Sequence, residues 1–168
     1  MHYLELIDTN TLKKPGLRCR DITPIFADAT AFNALLDDLL REVRPSEVDI
    51  VAGVDGLGLL LASAVAQKLA VGIVPIRKPG KLPVKTDAAP LPEPRGGLEV
   101  RFDAFAPSQR VLLVDDWIRT GVQAIAAVSL IERQQAQVSG IVALNIEKND
   151  RTEPLQRYSL HTMMVNGQ

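Results

Sequence analysis

The chain has 168 residues, 46% of them hydrophobic and 23% charged, with a net charge of −1; this suffices for one domain with a real core and is short for two, so a single domain over 1–168 is expected. A near-neutral balance with an isoelectric point near 6.1 supplies no general basic field, which argues against nucleic acid and anionic membrane as partners and requires any anion site to be local. Cys19 is the only cysteine, the opening MHYLELIDTN lacks a basic end before an apolar run, and no apolar stretch nears the ~18 residues of a membrane span, so a soluble cytoplasmic protein is expected.

In chain order, Phe32, Leu35, Leu36, Leu39, Leu40 and Val43 recur at helical spacing and predict an amphipathic helix over 30–43 with Thr30 as its N-cap. The run 48–54 reads as a buried strand, 57–69 as a largely buried helix and 72–77 as a second strand, a combination that implies a parallel pair. The segment 78–97 carries prolines at 79, 83, 90, 92 and 94 without apolar periodicity, and is expected to be one long loop of the kind that forms lids or binding loops. Beyond it, 98–102 alternates as a half-exposed strand, 110–114 is a buried strand, 122–134 a helix, 138–146 a strand and 158–165 an edge strand.

Strands alternating with helices predict an α/β fold with a mainly parallel twisted sheet flanked by helices. Ligands in such sheets bind beyond the carboxyl ends of the strands. Three polar clusters fall there: VDGLG (54–58), RKPGK (77–81) and DDWIRTG (115–121). Asp115 and Asp116 can accept hydrogen bonds from adjacent hydroxyls, hold Mg²⁺ through waters, or simply end a strand in solvent. The following RTGVQ opens a helix, where unpaired N–H groups suit a phosphate, although Thr-Gly at such a turn is also ordinary capping. Arg77, Lys78, Lys81 and Lys85 form either a solvated basic loop or a seat for a multiply charged leaving group. By contrast, Asp37 and Asp38 fall on the outer face of a helix and read as structural. Dinucleotide, Walker, zinc and nucleophile-elbow patterns are missing from the sequence.

VLLVDDWIRTG resembles the phosphoribosyl pyrophosphate motif of the type I phosphoribosyltransferases. RDITP (20–24), VAGVDGLG (51–58) and IRKPGKLP (76–83) are similar to segments of their adenine branch. The likeness runs from about 15 to 147. It implies a type I phosphoribosyltransferase-like fold with a mobile hood over 78–97, and transfer of phosphoribose from phosphoribosyl pyrophosphate to a purine base, adenine giving AMP in purine salvage. Asp115 and Asp116 would hold the ribose hydroxyls and, with Lys81, form the catalytic set. Arg119, Thr120, Gly121, Val122 and Gln123 would wrap the 5′-phosphate. Asp55, Gly56, Arg77, Lys78 and Lys81 would take pyrophosphate, and Arg18, Cys19 and Arg20 would meet the base. Mg²⁺ would arrive with the pyrophosphate substrate and not in a protein cage, and a homodimer is implied.

The chain departs from the family pattern at four places. Leu57 stands where an Arg is usual, Arg119, Val122 and Gln123 replace three residues of an A-T-G-G-T loop, Cys19 takes an aromatic position, and the hood carries PEPRGG with Glu93 in place of a Glu-Tyr pair. These departures leave open a nucleotide-binding or regulatory module with weakened turnover, or a transferase for a different base.

Overall fold

The computed structural model describes residues 3–7, 12–14, 17–18, 21–92 and 96–164. The backbone gathers into two compact units, 1–41 and 42–168.

The smaller unit holds a short antiparallel pair, β1 (Leu12–Lys14) and β2 (Leu17–Arg18), then α1 (Thr23–Ala27) and α2 (Ala29–Leu39). The predicted helix over 30–43 is thus shifted and shortened. Its cap is Asp28, not Thr30, because Asp28 lies in an extended conformation and its carboxylate accepts the Ala31 N–H at 2.8 Å. Leu35, Leu36 and Leu39 form its buried stripe, while the apolar rhythm at Leu40 and Val43 continues past the helix end. Asp38 accepts the Tyr3 hydroxyl at 2.7 Å and pairs with Arg41, which bears out its structural reading. Burial, followed by that bond to Asp38, raises the Tyr3 pKa.

The larger unit is built on a parallel sheet in the order β10-β9-β7-β3-β4, with β3 (Ile50–Val54), β4 (Gly72–Ile76), β7 (Arg110–Val114), β9 (Gln137–Ile146) and β10 (Leu160–Met164). The pairs β3·β4, β3·β7, β7·β9 and β9·β10 are all parallel. This is the mainly parallel α/β sheet the alternation predicts. Helix α3 (Leu57–Leu69) joins β3 to β4, and α4 (Val122–Arg133) joins β7 to β9. Close approach of α3 to the sheet depends on Gly53, where a Cβ would lie 2.5 Å from that of Ala62. The two central strands are buried over Val51–Val54 and Val111–Val114, and Leu61, Val65, Ala127, Leu130 and Ile131 are buried with them in the core.

The long loop of 78–97 contains a strand. β5 (Thr86–Pro90) pairs antiparallel with β6 (Gly97–Arg101), Ala88 facing Glu99 and Pro90 facing Gly97. TDAAP has little strand propensity of its own, so its partner creates it. Nor does 98–102 alternate: Gly97 through Val100 are all buried, and the exposure falls together on Arg101 and Phe102. A two-residue strand, β8 (Trp117–Ile118), adds to β9 after the acid pair.

Candidate active site

Chain direction across the sheet reverses at its centre. β3 leads through α3 to β4 on one side, and β7 leads through α4 to β9 on the other. The loops leaving the carboxyl ends of β3 and β7 therefore part from each other and open a crevice, the position where open α/β sheets bind ligands. Both predicted loops, 54–58 and 115–121, leave from these ends.

The two aspartates occupy unlike environments. Asp115 is 6% exposed, its Oδ1 accepts the Asp116 N–H at 2.9 Å, and Asp116 is half-buried. Burial, then the neighbouring Asp116 charge, pushes the Asp115 pKa well above the usual carboxylate range. The first turn of α3 presses on it: a Cβ at Gly58 would sit 2.7 Å from Asp115 Oδ1 and 3.0 Å from its Cα. Only glycine allows that approach. Gly56, at φ 114°, turns the chain into the helix.

Asp55 ties this turn to the end of β4. Its N–H donates to the Ile76 carbonyl at 2.9 Å, and its Oδ2 accepts the Lys78 N–H at 2.9 Å and the Arg77 Nε–H at 3.4 Å. Burial pushes the Asp55 pKa up, but the Lys78 N–H and the Arg77 guanidinium together hold it below the ordinary value. Four of the five residues assigned to pyrophosphate, Asp55, Gly56, Arg77 and Lys78, thus share one corner.

Lys81 reaches that corner through a residue the sequence did not single out. Glu99, 6% exposed in the middle of β6, accepts the N–H groups of Lys81 at 2.9 Å and Leu82 at 3.0 Å on Oε1, and the Thr86 hydroxyl at 3.3 Å on Oε2. Its backbone exchanges bonds of 2.8 and 2.7 Å with Arg77. Burial raises the Glu99 pKa, yet the donated N–H groups more than offset it, and the value falls below the ordinary one. The Lys81 side chain itself is exposed. Lys85, the fourth cation of the run, lies 3.9 Å from the centre of the Phe102 ring.

At the other loop, Gly121 caps α4 in the left-handed region at φ 69°. A Cβ there would also meet the Arg151 carbonyl at 2.9 Å. Helix α4 has no side-chain cap, so its first-turn donors remain for solvent or a ligand. A cavity of about 100 Å³ is lined by Asp115, Trp117, Arg119, Thr120, Gly121 and Gln123. Arg119 is exposed and makes no ion pair among the described residues. A larger groove of about 430 Å³ runs between α4 and 154–158. It holds none of the predicted residues, so chemistry favours the smaller one.

Of the base set, Cys19 and Arg20 lie outside the described residues, as does Glu93 of the hood, and only the backbone of Arg18 is described, in β2. No group of three or more His, Cys, Asp or Glu among the described residues could hold a metal ion.

Residues 22–163 match the family model of the phosphoribosyl transferase domain. The chain is 39% identical over 164 residues to the adenine phosphoribosyltransferase of Desulfitobacterium hafniense, spanning 94% of each protein. It is 46% identical over 131 residues to that of Dinoroseobacter shibae, spanning 77% of this chain and 73% of that one. The crystal structure of the adenine phosphoribosyltransferase from Thermoanaerobacter pseudethanolicus superposes with a TM-score of 0.86 at 33% identity, covering 95% of both chains.

Proposed function

The chain belongs to the phosphoribosyltransferase family, and from that premise we propose that it transfers the phosphoribosyl group of phosphoribosyl pyrophosphate to adenine, forming AMP and pyrophosphate in purine salvage. In this reaction the bond between the anomeric carbon and the pyrophosphate oxygen breaks, and a bond from that carbon to a ring nitrogen of adenine forms. Positive charge grows on the ribose and negative charge on the leaving group, so the protein's part is placement and electrostatics.

The observation that carries the reading is the crevice between β3 and β7, with the acid pair on one wall and the Asp55, Arg77 and Lys78 corner beyond α3's first turn. Asp115 and Asp116 accept hydrogen bonds from the ribose hydroxyls. The donors of α4's first turn, with Thr120 and Arg119, take the 5′-phosphate. Arg77, Lys78 and Lys81 take pyrophosphate, with Glu99 fixing the backbone that carries Lys81. Arg18, Cys19 and Arg20 are assigned to the base.

Mg²⁺ fits as part of the substrate. The nearby acids are a buried Asp115 already holding the Asp116 N–H and an Asp116 open on one side, which suits an ion held by pyrophosphate and its waters better than a protein cage. Bound there, it neutralises charge on the leaving group. The segment 78–97 closes over the substrate, the working form is a homodimer, and the protein is cytoplasmic. No described helix is long and apolar enough to cross a membrane.

The test is product analysis after incubation with phosphoribosyl pyrophosphate, Mg²⁺ and a panel of bases. AMP from adenine is the expected product. AMP binding without product from any base would make the protein a nucleotide-binding module, and product from another base alone would reassign the substrate.

A further inference from the structure

Behind the loop 119–123 stands the segment 147–152, EKNDRT, and one side chain bridges the two. Asn149 Nδ2–H donates to the Arg119 carbonyl at 2.9 Å and to the Glu147 carbonyl at 3.2 Å, while its Oδ1 accepts the N–H groups of Arg151 at 3.0 Å and Thr152 at 3.2 Å. Thr152, 3% exposed, locks the same turn: its hydroxyl donates to the Glu147 carbonyl at 2.6 Å and accepts the Asn149 N–H at 3.0 Å. The turn is fixed to the sheet through Glu147, whose N–H donates to the Ile118 carbonyl at 2.9 Å. It also touches the far side of the loop, since the Arg151 carbonyl and the Thr152 methyl are the atoms a Cβ at Gly121 would strike, at 2.9 and 3.2 Å.

We propose that Asn149 is a positioning residue for phosphate binding, a latch that sets the orientation of the peptide between Arg119 and Thr120. A trans peptide is planar, with its C=O and N–H antiparallel. Fixing the Arg119 carbonyl toward the 147–152 turn therefore sends the Thr120 N–H the opposite way, away from that turn. With Gly121 at φ 69° and no side-chain cap on α4, the Asn149 bond to the Arg119 carbonyl favours this orientation over the alternative turn in which carbonyl and N–H exchange directions. In that flipped form a carbonyl oxygen would face an anion.

Only the Nδ2 end of Asn149 reaches Arg119, with a longer second bond to the Glu147 carbonyl, whereas Oδ1 serves the Arg151 and Thr152 N–H groups, so substitutions can separate the two. Asn149→Asp keeps an oxygen for the Arg151 and Thr152 N–H groups but has no donor for Arg119 or Glu147. Asn149→Ser keeps a shorter, neutral acceptor for the turn and cannot reach Arg119. AMP affinity by calorimetry is expected to fall about three- to tenfold in both, the scale of one lost hydrogen bond, at both low and high salt, with the thermal midpoint held within about 2 °C. In turnover, KM for phosphoribosyl pyrophosphate should rise by a similar factor while KM for adenine stays put. A merely structural residue would lower the midpoint and the active fraction and leave both KM values unchanged.

Parent-like AMP affinity in both variants overturns the proposal, as does a loss confined to Asn149→Asp that vanishes at high salt, which would be charge repulsion alone. The inference rests on the phosphate reading of 119–123, and Thr120→Val tells the two apart. If Thr120→Val weakens AMP binding while the Asn149 variants do not, the latch alone is wrong; if Thr120→Val also binds like the parent, the phosphate reading falls with it.

Discussion

Removing the Glu99 carboxylate should loosen the basic loop before it loosens the sheet. In Glu99→Ala, the Lys81 and Leu82 N–H groups lose their acceptor and the Thr86 hydroxyl its partner. An unsatisfied buried donor costs about 1 to 3 kcal/mol. Water can enter beside the exposed Lys81, so the lower part of that range applies to each N–H, a total of about 2 to 3 kcal/mol, or about 4 to 12 °C in the thermal midpoint for a chain of this size. Glu99→Gln is the discriminating partner. Its oxygen can still accept both N–H groups and its amide can donate to the Thr86 hydroxyl, so it loses only the charge assistance, about 1 kcal/mol. The assay is hydrogen exchange at the Lys81 and Leu82 amides alongside the midpoint. Exchange in the parent should stay slow as pH falls through the ordinary carboxylate range, because the folded pKa of Glu99 lies below its unfolded value; the stability it adds is complete above the unfolded pKa and is lost as pH drops through the folded one. Full protection of both amides in Glu99→Ala would refute the reasoning.

Asp115 carries the opposite sign. Its folded pKa is raised, so Asp115→Asn should raise the midpoint by a few degrees at neutral pH, a gain that shrinks as pH falls through the raised pKa, while turnover drops by at least about a hundredfold; a lower midpoint at pH 7 would count against it. Asp116→Asn should keep the midpoint within a few degrees and weaken AMP binding about tenfold, by calorimetry. Lys81→Ala should weaken phosphoribosyl pyrophosphate far more than AMP, and equal losses would make Lys81 structural. Gly121→Ala should cost stability from both its φ of 69° and the Arg151 carbonyl 2.9 Å from the new Cβ, lowering the midpoint by about 2 to 8 °C and weakening AMP; a parent-like melt would show that the loop yields.

The central strands and their helices were legible because burial on both faces writes continuous apolar runs, as in Val51–Val54 and Val111–Val114. The strand-end placement of the loops 54–58 and 115–121 was legible for a related reason: charge placed where such a run stops has no core to enter. What the sequence hid depends on partners. Strand β5 exists through β6, and the prolines of TDAAPLP point the other way. Glu99 reads as the polar half of an alternating strand until Arg77 and Lys81 are seen around it. Asp28 and Thr30 are both acceptable caps, and only backbone conformation chooses Asp28. The Asn149 turn falls beyond the recognisable motifs, although the Asn-Asp step in EKNDRT was a turn signal in its own right.

Two adjacent aspartates at a strand end pose a physical question, and their unequal burial answers it. Were both exposed, solvent would screen their repulsion and neither would be held in place. Here Asp115 is kept beneath the first turn of α3, with Gly58 against its carboxylate and the Asp116 N–H on its Oδ1. Asp116 remains half-buried at the opening. Burial, and the Asp116 charge beside it, raise the Asp115 pKa, an electrostatic cost that the fold already bears before any ligand arrives. In the proposed reaction, hydroxyl donors or positive charge developing on a ribose ring would relieve that cost on reaching the crevice. Binding and the approach to the transition state are then favoured by a field set up in advance, with no carboxylate left to reorient at the moment of reaction.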